Sequence, residues 1–155
     1  MNTLDVDWGD LELAFRDATG TRNFLDKGTG DVVSIVPGFS DVEEIETAIA
    51  REPDRFLAIP PLDASHARSV MGDFLGTLEP ALSERFAAAG LKEGRLGPGG
   101  LTKCLALLRE DEALLSRYYR FEQTSFWATV ESFLSSAGVT PSTRTPGVEL
   151  FEGRA

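Results

Sequence analysis

Two short stretches of this chain constrain its fold more than any other feature, because both are typical of β-strands in one small sheet. The stretch 23–33 has apolar segments on either side of a turn that contains two glycines. Glycine readily adopts the positive φ that tight connections require, so this stretch predicts a β-hairpin with its turn at 27–30. The stretch 55–59 is followed by two consecutive prolines and predicts a third strand that ends there.

Apolar residues at helical spacing occupy most of the remaining chain and predict helices. We therefore predict an α+β fold: a mainly helical single domain with a small three-stranded antiparallel sheet, formed by the hairpin and one further strand. In a chain of 155 residues, this domain is expected to cover residues 1–139. After residue 139 the helical spacing of apolar residues ends, and the polar, turn-forming segment 140–155 is expected to be a flexible tail. The helical stripes lie at 8–18, 42–49, 67–78, 80–89, 101–108 and 114–134.

A glycine-rich segment at 90–100 separates two of these stripes and predicts a loop. Its position before a helix suits the binding of an anion by backbone N–H groups. It lacks the lysine followed by a hydroxyl residue that ends a phosphate-binding loop, because Thr102 precedes Lys103 here. A flexible connection is therefore the favoured interpretation.

The charge of the chain is strongly unbalanced, with 25 acidic and 15 basic residues and a formal net charge of −10. A negative field of this size opposes direct nucleic-acid binding and anionic membranes, because neutralising phosphates requires clustered lysines and arginines. It leaves open an acidic surface that occupies a basic groove on a partner protein. The beginning of the chain shows no signal peptide, and no stretch approaches the roughly 20 apolar residues that span a bilayer, so we expect a cytoplasmic protein.

Catalytic and metal-binding sets are incomplete in this sequence, where His66 is the only histidine and Cys104 the only cysteine. A Ser-His or Cys-His pair would require His66 close to a nucleophile and an orienting carboxylate, whereas its place near the start of a predicted helix favours a surface role. One histidine and one cysteine cannot supply the three or four ligands of a zinc site. We therefore predict no catalytic residue, no metal and no cofactor, and we expect Cys104 in the core.

Clustered carboxylates, at 43–46 and again at 110–112, provide the alternative of an enzyme. General acid–base catalysis needs two carboxyl groups in a cleft with separated pKa values, while runs of this kind are usually solvated helix faces. The alternative to a binding protein is therefore a small hydrolase or transferase with an unrecognised carboxylate site.

Aromatic residues and arginines cluster at 117–121, on the stripe that predicts one or two long helices. Tyr118 and Phe121 share a helix face there. Arg117 and Arg120 flank them. Tyrosine and arginine are enriched at the energetic centres of protein interfaces, so the cluster could bind a partner; core aromatics beside solvated arginines are the alternative. The candidate binding residues are Arg55, Phe56, Arg117, Tyr118, Tyr119 and Phe121.

Five motifs in fixed order resemble an uncharacterised bacterial family, the one numbered 0158 in the UPF series. The resemblance implies the same fold and carries over no established activity. Relatives tend to have a basic, aromatic run where this chain has Gly-Pro-Gly-Gly-Leu-Thr-Lys-Cys-Leu, which implies the loss of any anionic ligand that the run serves. The motifs are Leu-Glu-Leu-Ala-Phe at 11–15, Phe-Leu-Asp-Lys-Gly-Thr-Gly-Asp-Val at 24–32, Asp-Arg-Phe-Leu-Ala-Ile-Pro at 54–60, Tyr-Tyr-Arg-Phe at 118–121 and Phe-Leu-Ser-Ser-Ala-Gly-Val at 133–139.

These observations favour a noncatalytic intracellular binding or regulatory protein that acts through protein–protein contacts. The incomplete catalytic sets and the acidic excess motivate this prediction. The expected partner is another protein, and a partner with a basic groove would suit the acidic surface of this chain. The sequence does not specify the oligomeric state.

Overall fold

The computed structural model describes residues 3–39, 41–89, 91–92, 95–96 and 99–146, and at 87–89, 91–92 and 95 it describes the backbone alone. These residues form two compact units: unit 1 comprises those within 3–62 and 130–146, and unit 2 those within 63–129. The helices are α1 (Trp8–Phe15), α2 (Val42–Arg51), α3 (Ala64–Leu75), α4 (Pro80–Ser83), α5 (Gly100–Arg109) and α6 (Glu112–Ser136), with a 3-10 helix at Glu84–Ala89. The strands are β1 (Arg22–Asp26), β2 (Val32–Ile35), β3 (Phe56–Ile59), β4 (Leu91–Lys92) and β5 (Arg95–Leu96).

The three-stranded sheet of unit 1 has the order β2-β1-β3, and both pairs of neighbouring strands are antiparallel. In the middle of the sheet, the fully buried Leu25 lies opposite Val32 on one side and Leu57 on the other. Cross-strand packing of such aliphatic side chains is what stabilises a small sheet. The predicted hairpin, the third strand and the α+β fold are confirmed.

The hairpin turn closes with a β-bulge at Gly30. The Asp26 carbonyl accepts hydrogen bonds from the N–H groups of Thr29 and Gly30, at 3.3 and 2.7 Å, and the Asp26 N–H donates to the Asp31 carbonyl at 2.8 Å. Gly30 has a φ of 87°, in the left-handed region that the first residue of such a bulge occupies. A Cβ at position 30 would also lie 1.8 Å from the Asp5 carbonyl oxygen, so only glycine fits there without backbone movement.

The core of unit 1 includes one face of α1, the sheet and the end of α6. α1 begins after Asp7, whose carboxylate accepts a hydrogen bond from the Asp10 N–H at 3.0 Å. Phe15 meets Phe133 edge to face, with ring centroids 5.2 Å apart. The buried apolar residues of this unit are Leu11, Ala14, Phe15, Leu25, Ile35, Ile59, Val130, Leu134 and Val139.

Residues 140–146 continue unit 1 after the end of α6. The Leu4 N–H donates to the Thr140 carbonyl at 2.8 Å, and the Ser142 N–H donates to the Leu4 carbonyl at 2.9 Å. The predicted tail starts at residue 140, and its part beyond 146 lies outside the described residues. The domain boundary and the flexibility of the tail stay predictions.

The core of unit 2 is formed mainly by α3, α5 and the first turns of α6. α3 begins after Asp63, whose carboxylate accepts a hydrogen bond from the His66 N–H at 3.0 Å. Cys104 lies fully buried on α5, as its apolar stripe predicts. The core residues are Met71, Phe74, Leu75, Leu78, Phe86, Leu96, Cys104, Leu108, Leu114 and Tyr118.

The region 80–100 differs from the sequence prediction. The helix predicted at 80–89 starts with Pro80 in the first turn of α4, but it continues as the 3-10 helix. The prediction of a loop at 90–100 is wrong in part, because β4 and β5 pair antiparallel, with Leu91 opposite Leu96. Strands of two residues are too short to carry an alternating pattern, so the glycines dominated the prediction.

The stripe at 114–134 corresponds to one continuous helix, α6. Its end is set by Gly138, which has a φ of 74°, and the Val139 N–H donates to the Leu134 carbonyl at 2.8 Å. A left-handed glycine followed by this hydrogen bond is a common way to end a helix. Among the described helices, none combines the length and the apolar character that crossing a bilayer requires.

We expect Gly30→Ala to destabilise the protein far more than Gly38→Ala does. The two glycines have φ values of 87° and 90°, so each alanine costs about 1–2 kcal/mol for the left-handed conformation. At Gly30 the new Cβ also collides with backbone, whereas at Gly38 no atom of the described residues lies within 4 Å of it. Urea unfolding should show a further loss of at least about 2 kcal/mol for Gly30→Ala. Equal losses for the two variants would contradict the close approach of Gly30 to Asp5.

Candidate functional site

Asp26 and Arg55 belong to two of the motifs described above, and the fold joins them in an ion pair of unit 1. The Arg55 Nε donates to Asp26 Oδ1 at 2.7 Å, and its Nη2 donates to Oδ2 at 2.9 Å. This geometry is bidentate, the strongest form of a carboxylate–arginine contact. Asp26 is only 6% exposed, and its Oδ1 also accepts a hydrogen bond from the Gly28 N–H at 2.8 Å. The pair therefore ties the hairpin turn to the start of β3.

The contacts between Asp26 and Arg55 stabilise the charged form of each side chain. Hydrogen bonding from Arg55 is the main cause that lowers the pKa of Asp26 below its ordinary value. The bonds to Asp26, together with one from Nη1 to Glu52 at 3.0 Å, raise the pKa of Arg55. All three guanidinium nitrogens are thus engaged within unit 1, and the contacts of Arg55 are structural. The half-buried Phe56 has its ring centroid 5.3 Å from this guanidinium.

A shallow pocket of about 290 Å³ lies along α6 in unit 2. The rings of Phe74 and Phe121 form its apolar part, with their centroids 5.5 Å apart. We call it the arginine pocket, because two arginines and two threonines complete the lining. These polar residues are Thr77, Arg117, Arg120 and Thr124.

Arg117 and Arg120 give the arginine pocket a local positive charge. They are three residues apart on α6 and therefore share a helix face. Arg117 Nη1 lies 3.6 Å from Glu79 Oε2, but both side chains are largely solvated, so this pair holds Arg117 only weakly. Arg120 is exposed and makes no ion pair within the residues that the structure describes. Two guanidinium groups beside an aromatic surface suit a carboxylate or another anionic group.

The two tyrosines of the predicted binding set lie in different environments. Tyr118 is buried in the core of unit 2, where its ring meets Phe74 edge to face at 5.4 Å. Tyr119, the next residue along α6, is 52% exposed.

The structure brings Arg117 and Phe121 together in one pocket, while Arg55 and Phe56 belong to the other unit. A binding role for the six predicted residues stays a prediction. Sequence reasoning missed Phe74 and the two threonines, because a pattern on one helix does not reveal which residues of other segments adjoin it. The arginine spacing on α6 was the available signal.

Among the described residues, the pKa shifts of one cysteine and two aspartates have local causes, namely burial and hydrogen bonds. Burial raises the pKa of the Cys104 thiol, which keeps it protonated and a poor nucleophile. Hydrogen bonds from Thr19 lower the pKa of Asp17, and hydrogen bonds from Arg55 lower the pKa of Asp26. A general acid needs a raised pKa instead. In the described part of the chain, no group of three or more histidine, cysteine, aspartate or glutamate residues could hold a metal ion.

These features define an α+β protein with a surface pocket of arginine and aromatic side chains. No protein-family model matches the chain, and no solved structure matches it. The UPF0158 protein PA5073 of Pseudomonas aeruginosa is 29% identical to the chain over 150 residues, which are 96% of this chain and 92% of that protein. The resemblance to the UPF0158 family, which the motifs predicted, is therefore confirmed over almost the whole chain.

We expect Asp26→Asn to destabilise unit 1 by about 2 kcal/mol at neutral pH, because the buried side chain at position 26 loses its charge-assisted hydrogen bonds from Arg55. The effect should shrink in acid. The pKa of Asp26 is lowered in the folded protein, so its stabilisation is complete above the unfolded value of about 4 and is lost as pH falls through the folded value. Urea unfolding of both proteins between neutral pH and pH about 2 measures this difference.

Asp31→Asn is the matched control for this prediction, because Asp31 is an exposed aspartate of the same hairpin. It should change the free energy of unfolding by less than about 0.5 kcal/mol. Stability curves of Asp26→Asn and the natural protein that stay parallel in acid would contradict the role of the ion pair.

Proposed function

We propose that this protein is a noncatalytic binding or regulatory protein, and that its arginine pocket receives an acidic segment of a partner protein. The observation that carries the proposal is the pairing of Arg117 and Arg120 beside the rings of Phe74 and Phe121. Arginine is among the side chains that most often dominate binding energy at protein interfaces, and phenylalanine is enriched there.

The chemistry of the pocket supports an acidic contact on the partner. A guanidinium group binds a carboxylate through two parallel hydrogen bonds, and α6 presents two such groups on one face. The half-buried ring of Phe121 beside them would take the apolar part of the same segment, supported by the buried ring of Phe74 that it contacts. Arg120 has no ion pair to break within the described residues, so a partner carboxylate would gain a contact without displacing one.

The net charge of −10 acts over the whole surface, whereas the arginine pocket is local. A partner with the predicted basic groove can therefore offer positive charge to the acidic surface and a short acidic segment to the pocket. The resemblance to a Pseudomonas aeruginosa protein supports a bacterial origin. A cytoplasmic location remains part of the proposal.

The alternative, a small hydrolase or transferase with a carboxylate site, has no observation in its favour. Hydrogen bonds lower the pKa of both Asp17 and Asp26, which suits structural roles. Turnover in a broad panel of ester, phosphate and glycoside substrates would favour this alternative over the binding proposal.

We expect removal of the pocket arginines to weaken the partner complex by about tenfold or more, which is the effect of losing a charged interface contact. A photoreactive amino acid at the exposed Tyr119 should cross-link the partner in native lysate and identify the segment that lies beside α6. The affinity of that purified partner is then measured for the full-length protein and for the double variant Arg117→Ala/Arg120→Ala.

Arg109→Ala provides the control, because Arg109 is an exposed arginine on α5 outside the pocket lining. It should leave the affinity within about twofold, and circular dichroism should show that all variants fold. The proposal fails if the pocket variant binds as well as the control, or if the cross-linked segment carries no acidic residues.

A further inference from the structure

A second concave surface, which does not involve the arginine pocket, lies in unit 1. It is a groove of about 330 Å³ whose lining comes from α1 and from the strands β1 and β2. Its apolar part includes Ala14, Val32, Val36 and Leu13, and Leu13 is 71% exposed. An aliphatic side chain so exposed at the side of a groove is available for contact with another chain.

The groove adjoins an open edge of the sheet, because β2 is an outer strand. The hydrogen bond between Asp26 and Asp31 fixes the alternation of the ladder, in which Val33 bonds to β1 and the N–H and C=O groups of Val32 and Ser34 point outward. Within the described residues, no backbone hydrogen bond joins these outward groups to another segment. Unpaired main-chain groups of this kind are a template for an additional strand.

The groove carries negative charge, and one of its two carboxylates is held by hydrogen bonds. Its lining contains Asp10 and Asp17 and no lysine or arginine. The Asp17 carboxylate accepts hydrogen bonds from the Thr19 N–H at 2.8 Å and from the Asn23 Nδ2 at 3.2 Å. Asn23 is only 7% exposed, and its Oδ1 accepts a hydrogen bond from the Ser34 hydroxyl at 2.5 Å. The carboxylate is therefore held beside the same strand whose outer edge is open.

We propose that β2 and this groove form a docking site for an extended cationic segment of a partner protein, which adds to the sheet as a fourth strand. Main-chain hydrogen bonds to Val32 and Ser34 would supply sequence-independent affinity. Every second side chain of the added strand faces the groove, where aliphatic residues meet Leu13 and lysines or arginines meet the two aspartates. The charge of the groove selects the occupant, because a basic strand complements Asp10 and Asp17.

A second copy of the same chain is the competing occupant. Symmetric pairing of two β2 strands would bring the same aspartates from both copies to one interface, and like charges across paired strands are destabilising. The proposal therefore commits to a foreign basic strand. It rests on unit 1 alone, so its failure would leave the proposal for the arginine pocket intact.

The test uses the full-length protein and a synthetic peptide whose odd positions alternate lysine and valine and whose even positions are threonine. Binding should slow amide hydrogen exchange at Val32 and Ser34 by about tenfold or more, because their outward N–H groups become hydrogen bonded. The amide of Val33 already bonds within the sheet and serves as the internal reference. A peptide with glutamate in place of lysine should give no such protection.

A pair of charge-matched variants separates the groove from the general acidity of the chain. Asp10→Asn/Asp17→Asn should weaken peptide binding by about tenfold, while Glu43→Gln/Glu44→Gln on the exposed first turn of α2 should leave it within about twofold. Equal weakening by both pairs, or binding without protection of Val32 and Ser34, would overturn the proposal. Concentration-dependent protection of these amides without peptide would assign the edge to a second copy and overturn it as well.

Discussion

The carboxylate of Asp26 occupies the point at which the three strands of the sheet are fixed to one another. The backbone of Asp26 closes the bulge of the hairpin. The Asp26 side chain accepts two hydrogen bonds from Arg55, the residue that precedes β3. Strands of four and five residues are short, and a hairpin of this size is only marginally stable by itself. The bidentate contact penalises any register that leaves the buried carboxylate of Asp26 without Arg55, because a buried charge without a partner is costly. The shape of the groove in unit 1, which β1 and β2 help to line, follows from that register.

Local sequence signals predicted the parts of the fold that local physics determines. Glycines between apolar runs predicted the hairpin, and the cap at Asp63 and the glycine at Gly138 begin and end helices as such residues ordinarily do. The two-residue strands β4 and β5 were missed because their pairing depends on contacts that leave no periodic trace. The change from α4 to a 3-10 helix was missed for the same reason.

The candidate sites were less predictable than the fold, since they depend on residues that are distant in sequence. Arg55 was predicted as a binding residue, and its contact with a carboxylate that precedes it by 29 positions could not be read from the sequence. The spacing of Arg117 and Phe121 on α6 could be read directly, whereas the contribution of Phe74 required the folded chain. In the groove, the side chain of Asn23 connects Asp17, which follows α1, to Ser34 of β2 through hydrogen bonds that no spacing rule anticipates.

The burial of Cys104 has a practical consequence for experiments on this molecule. It is the sole cysteine of the chain, and its sulfur is enclosed by the core of unit 2. A thiol reagent can reach it only when that core opens, so the rate of alkylation under native conditions reports the free energy of the opening. The natural protein thus contains its own probe of local unfolding, and fluorophores attached to introduced surface cysteines would compete with no accessible native thiol.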